Sequence, residues 1–189
     1  MRAAQKWRVV AMSCFLILLV CVPKVRHCIL WAVGVETLVG WNTPEEWVAL
    51  IRDPDGATSA YATYELSRLG PAAKPMVPRL IDLLQDENVY VRTSAVVILG
   101  DIGSDAKAAI PYLIIALQDP EVRVRINVPH ALASIDPGDE SIVPALRLAQ
   151  NDAGEICGYR VNDSAVAALR KIADAKKRLA AERKEGRGL

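Results

Sequence analysis

The residues from Val77 to Gly103 recur, shifted by 33, as Ile110 to Asp136, and this periodicity restricts the chain to folds made by stacking one small unit. Of the 27 aligned positions 11 are identical, where ordinary composition would give roughly two by chance. The same offset extends in both directions. Asp53, Asp86, Asp119 and Asp152 form one column, and Pro78, Pro111 and Pro144 form another. Leu80, Leu113 and Leu146 make a third, Leu66, Leu99 and Leu132 a fourth, and Leu69, Ile102 and Ile135 a fifth. The composition is 52% hydrophobic but only 5% aromatic. Such a chain must pack aliphatic side chains between helices rather than build an aromatic-rich β-sandwich.

Each unit reads as two antiparallel helices. The first opens after the repeated Asp: in Asp119-Pro120-Glu121 the Asp is expected as N-cap, the Pro at the first helical position and the acid in the positive first turn. Its apolar residues Val122, Val128, Leu132 and Ile135 follow helical spacing. Gly70 and Gly103 then end that helix in two units. The second helix begins near the repeated Pro and turns Leu80 and Leu84, or Leu113 and Leu117, inward. Thr43 and Glu46 read as a capping box for an earlier half-unit. The last unit departs from the pattern. It lacks the Val-x-Val-Arg segment, and its Leu169 and Ile172 lie 37 rather than 33 residues past Leu132 and Ile135. The extra residues fall in Asn151–Asp163, expected to be an irregular loop and the most mobile part of the body.

The strings VPRLIDLLQD and IPYLIIALQD, each followed by Val-x-Val-Arg and then LGDIG or LASID, resemble HEAT repeats of the short bacterial, phycobilisome-lyase-like type over about Trp47–Ile172. The resemblance implies an all-α, right-handed α-solenoid of helix hairpins whose second helices line a concave face. It also implies loop ion pairs, Asp86 with Arg92 and Asp119 with Arg125. Two enzymes resemble this fold. Deoxyhypusine hydroxylase holds iron through repeated His-Glu pairs, whereas this chain has only His27 and His130, neither followed by Glu. Bilin lyases contain the repeats, but the repeats alone do not make a lyase. No serine sits in a nucleophile elbow, no Gly-rich phosphate loop is present, and the carboxylates fall mostly at caps. The reading is a non-catalytic protein-interaction scaffold without cofactor or metal; the alternative is a HEAT-type enzyme such as a bilin lyase or a metal-dependent hydroxylase relative.

Charge divides the chain into three parts. Residues 1–42 carry a balance of +4, residues 43–164 a balance of −8, and residues 165–189 a balance of +5. An acidic middle argues against nucleic acid as the partner of the folded body. Near the N-terminus, Arg2, Lys6 and Arg8 precede the apolar run Val9–Val22, and Lys24 and Arg26 follow it. Residues 7–25 are long enough for a hydrophobic helix that spans a bilayer once, and no small-x-small cleavage pair follows. The positive-inside bias places the repeat domain outside the cytoplasm, with secretion after signal cleavage as the alternative. Cys14, Cys21, Cys28 and Cys157 form no CxxC pair. The expected organisation is an anchor and linker over 1–42, a repeat domain over 43–175 and a basic tail over 176–189, the tail being a candidate for contact with anionic lipid.

On the repeat grid, positions flanking the inward leucines face water. They nominate Arg79 and Asp82 in one unit, Tyr112 and Ile115 in the next, and Ala145 and Leu148 in the third. Tyr112, Ile115 and Leu148 would form an apolar strip with a charged edge. Tyr159 and Arg160 in the inserted loop add an aromatic and an Arg, the residue types that anchor interfaces.

Overall fold

The chain divides between Asn42 and Thr43, and the computed structural model describes residues 44–185. Residues 7–25, Thr43 of the expected capping box and the end of the basic tail lie outside that range. Four helix hairpins follow one another. Helix α1 (Pro44–Ile51) pairs with α2 (Gly56–Leu69), and α3 (Val77–Leu83) with α4 (Val89–Ile102). Next, α5 (Ile110–Ala116) pairs with α6 (Val122–Arg125) and α7 (Val128–Ile135), and α8 (Ile142–Ala149) pairs with α9 (Val161–Glu185). Two 3-10 segments, Gly70–Met76 and Gly103–Ala109, link the hairpins. Both open on a glycine at positive φ, which closes the preceding helix as the sequence indicates.

The core is the repeat made physical. Leu80, Leu113 and Leu146 are fully buried, as are Leu66, Leu99 and Leu132, and Trp47 occupies the first of these columns one unit earlier. No polar or charged residue is fully buried among the described residues. Helices α2, α4, α7 and α9 pack directly on one another in series, whereas α1, α3, α5 and α8 meet their counterparts only slightly. Contact between α4 and α7 is so close that a Cβ on Gly100 would lie 3.0 Å from the Ala131 Cα. We call this closely packed layer of α2, α4, α7 and α9 the inner layer, and that of α1, α3, α5 and α8 the outer layer. The Pro-initiated helices form the loosely stacked outer layer.

Three local readings also change. The repeated Asp does not cap its helix. Asp53, Asp86, Asp119 and Asp152 each accept the backbone N–H two residues on, at 2.7–3.0 Å, and the caps are Asp55 for α2 and Asn88 for α4. The third unit's inner helix is not continuous. Pro129, where the second unit has Val96, brings no N–H to the helical ladder, and the helix breaks into α6 and α7. Asn127 at the break donates to the Arg123 carbonyl at 2.8 Å. Lastly, the insertion is not irregular. Glu155–Ile156 and Tyr159–Arg160 pair as antiparallel strands β1 and β2 around Cys157 and Gly158, both at positive φ, the geometry of a tight primed turn. Among the described residues the fold is therefore a helical solenoid with one small β-hairpin.

Candidate partner-binding surface

Loop ion pairs hold the hairpins in register, and they run between units rather than within them. The Arg92 guanidinium donates to both carboxylate oxygens of Asp119, at 2.8 and 3.0 Å, and from its other nitrogen to the carbonyls of Asp86 and Glu87. Arg125 repeats this on Asp152 and on the carbonyls of Asp119 and Pro120. The pairing implied by the resemblance, Asp86 with Arg92 and Asp119 with Arg125, is thus shifted by one unit. Within its own unit each Arg meets the loop's backbone, because the Asp side chain there is turned to the next amide. Ser59 stands where Arg92 and Arg125 stand in later units, and Arg52, just past the end of α1, reaches Asp86 at 2.6 Å in its place. On the opposite edge Lys74 pairs with Asp105 and Lys107 with Asp136. The hydrogen bond to Asp119 raises the Arg92 pKa, as that to Asp152 does for Arg125. Asp152 and Asp136 are held below the usual carboxylate value, chiefly by Arg125 and Lys107.

These frames leave some large side chains in water. Ile115 and Leu148 are 68% and 69% exposed at equivalent positions of α5 and α8, and Tyr112 is less open. Tyr112 and Ile115 share a shallow groove with Leu84 and Pro120. Arg79 and Asp82 are exposed on α3, where Arg79 bonds Glu45 of α1 at 3.1 Å and lies 3.8 Å from Asp82. All five belong to the outer layer. Tyr159 and Arg160 sit apart from them on β2, Tyr159 open to solvent and Arg160 bonded to Glu155 across the hairpin at 3.2 Å.

The inner layer carries a second surface that the sequence reading passed over. Tyr64 and Tyr90 are both mostly exposed, and the Arg123 guanidinium stacks over the Tyr90 ring at 5.3 Å. A groove of about 410 Å³ beside this pair is lined by Pro54, Ala60, Asn88, Tyr90, Thr93 and Arg123. Deeper on α2, burial raises the Tyr61 pKa, with nearby Glu65 adding to the effect. The signal lay in the 33-residue grid: Tyr90 and Arg123 occupy one column, on the helix face that the buried Val91, Ala95 and Leu99 leave to solvent. His130 is exposed, and among the described residues no three His, Cys, Asp or Glu side chains gather as a metal-holding group.

A family model for HEAT repeats matches residues 44–114 and 77–157, together more than half of the sequence. The chain belongs to the HEAT-repeat family. Among solved structures, this HEAT-repeat chain is similar to the crystal structure of an engineered protein from the Northeast Structural Genomics Consortium. The two are 22% identical with a TM-score of 0.53, over 70% of this chain and 63% of that one. The likeness is one of fold. No curated protein matches the chain. Among the described residues no helix is long and apolar enough to cross a membrane, and residues 7–25 lie outside them.

Proposed function

We propose that this HEAT-repeat protein, of the short bacterial type, is a non-catalytic scaffold that docks another protein on its inner layer, and that residues 7–25 hold it to a membrane with the repeats outside the cytoplasm. The observation that carries the docking surface is the exposed Tyr90 ring under Arg123. An aromatic and an Arg already stacked lose little freedom when a partner closes over them, and such residues dominate interface energies. Resolved pKa shifts support the non-catalytic reading. All except that of Tyr61 trace to ion pairs that join one unit to the next, rather than to a cleft of mutually perturbed groups. The alternative reading places the docking surface on the outer strip of Tyr112, Ile115 and Leu148, favoured by its two equivalent exposed aliphatic residues.

The test is crosslinking in native membranes with full-length protein. Tyr90→Ala with Arg123→Ala should abolish the crosslinked species, while Ile115→Ala with Leu148→Ala leaves it; the reverse pattern moves the site to the outer layer. Visible absorbance from a bound bilin, or stoichiometric iron in the purified protein, overturns the non-catalytic reading. Extraction of the protein from membranes by carbonate overturns the anchor.

A further inference from the structure

Helix α9 is longer than the stack it closes. It spans 25 residues where α2 and α4 each span 14. Its last buried residue is Ile172, and every residue from Lys176 to Glu182 is exposed. Past Ala175 the helix has no core to hold it, and a free helical stretch of roughly ten residues is marginal in water. The stripe that packs Val161, Ala165, Ala168 and Ile172 into the body continues to Leu179, which is 51% exposed.

One side of α9 carries cations and no acid. At about 100° per residue, Arg170, Ala173, Lys176, Lys177 and Ala180 fall within a sector of about 120°, and Asn162, Val166 and Leu169 lie in the same sector nearer the body. No acid falls in it: Asp163 and Asp174 lie within about 40° of its edge and Glu182 farther round, on a side that also holds Lys171 and Arg178. Lys177 reaches Asp174 across the border at 3.7 Å, an exposed pair of little strength. Lys171, opposite the cationic sector, bonds Ser134 of α7 at 2.8 Å, so the sector faces away from α7. Val166 and Leu169 are half-buried there and give this face an apolar floor.

We propose that this face of α9 lies on an anionic lipid surface, which completes the unsupported end of the helix. A straight helix side that alternates small or apolar residues with Lys and Arg, and has no acid and no pocket, suits a plane of headgroups. Each cation near such a surface contributes about a fivefold gain in affinity. The balance of −8 over residues 43–164 keeps the body turned away from the same surface. This contact is independent of the partner surface on α2, α4 and α6.

Hydrogen exchange on the full-length protein, reconstituted in vesicles, tests it. Amides of residues 173–182 should exchange at least about tenfold more slowly in phosphatidylcholine with phosphatidylserine than in phosphatidylcholine alone. High salt should remove the difference. Lys176→Glu with Lys177→Glu should restore fast exchange in α9 and leave α4 as slow as before. Equal exchange in the two lipids overturns the proposal, and so does protection that survives the double substitution. Equal protection by polyglutamate in solution also overturns it, in favour of an acidic polypeptide.

Discussion

The second and third hairpins share 11 of 27 aligned positions, yet their inner helices differ. Helix α4 is continuous over 14 residues, whereas its counterpart is two pieces, α6 and α7, with Pro129 where Val96 stands. Both nevertheless place Arg92 and Arg125 on the next unit's Asp, and both bury their Leu99/Leu132 and Ile102/Ile135 columns. What the stack requires of a unit is therefore its two ends: a guanidinium at the loop and aliphatic residues at the base. The middle of the inner helix tolerates a break, provided that the carbonyls it frees are met, as Asn127 meets Arg123.

The largest test of this equivalence is in the core. Leu80→Ala and Leu113→Ala should each destabilise the body by about 2–5 kcal/mol in denaturant melts, since both leave a cavity at a fully buried site. Tyr112→Ala, beside one of them but half in water, should cost under about 1 kcal/mol. Losses that differ widely between the two leucines would show that the hairpins do not carry equal weight. Next comes the break itself. Val96→Pro should cost about 3 kcal/mol or more, because it removes a helical hydrogen bond inside α4, while Pro129→Ala should change stability by less than about 1 kcal/mol. A large loss from Pro129→Ala would mean that the break is needed for the fit of α7.

The ladder sharpens the comparison further. Arg92 and Asp119 are 12% and 8% exposed and share two hydrogen bonds, whereas Arg52 opposite Asp86 is 52% exposed. Arg92→Ala should cost about 2–4 kcal/mol, because it strands a shielded carboxylate and two loop carbonyls. Arg52→Ala should cost under about 1 kcal/mol. The smallest effect is in acid. Asp136 and Asp152 have folded pKa values below the ordinary carboxylate value, so their contribution is present above it and is lost as pH falls through the lower folded value. Stability should drop as pH falls below about 4, and Asp152→Asn should make that drop shallower. An unchanged profile would show that the Asp152 pair adds nothing to acid stability.

Much of the architecture is legible in the primary structure. The 33-residue offset, the glycines at 70 and 103 and the leucine columns place the hairpins, because each reflects a local rule of helix period or helix end. The exposure of Arg79, Asp82, Ile115 and Leu148 follows from the same phase. Tyr90 and Arg123 were less visible, since a stacked pair arises only when one unit lies against the next. The hairpin around Cys157 and Gly158 was hidden by its length, two residues to a strand, too short for any alternation to show.

The sequence by itself determined the repeating unit, its turns and the residues that must be buried, since a helix records its own period and its own ends. Tertiary structure alone decided which carboxylate each Arg takes. Asp86 and Arg92 are near neighbours along the chain, but Asp86 is turned to the Asn88 amide and to Arg52, while Arg92 bridges its own loop carbonyls to Asp119. Stacking also decided which layer is inner. Gly100 lets α4 and α7 approach so closely that a Cβ there would lie 3.0 Å from the Ala131 Cα, which makes this the tightly packed layer.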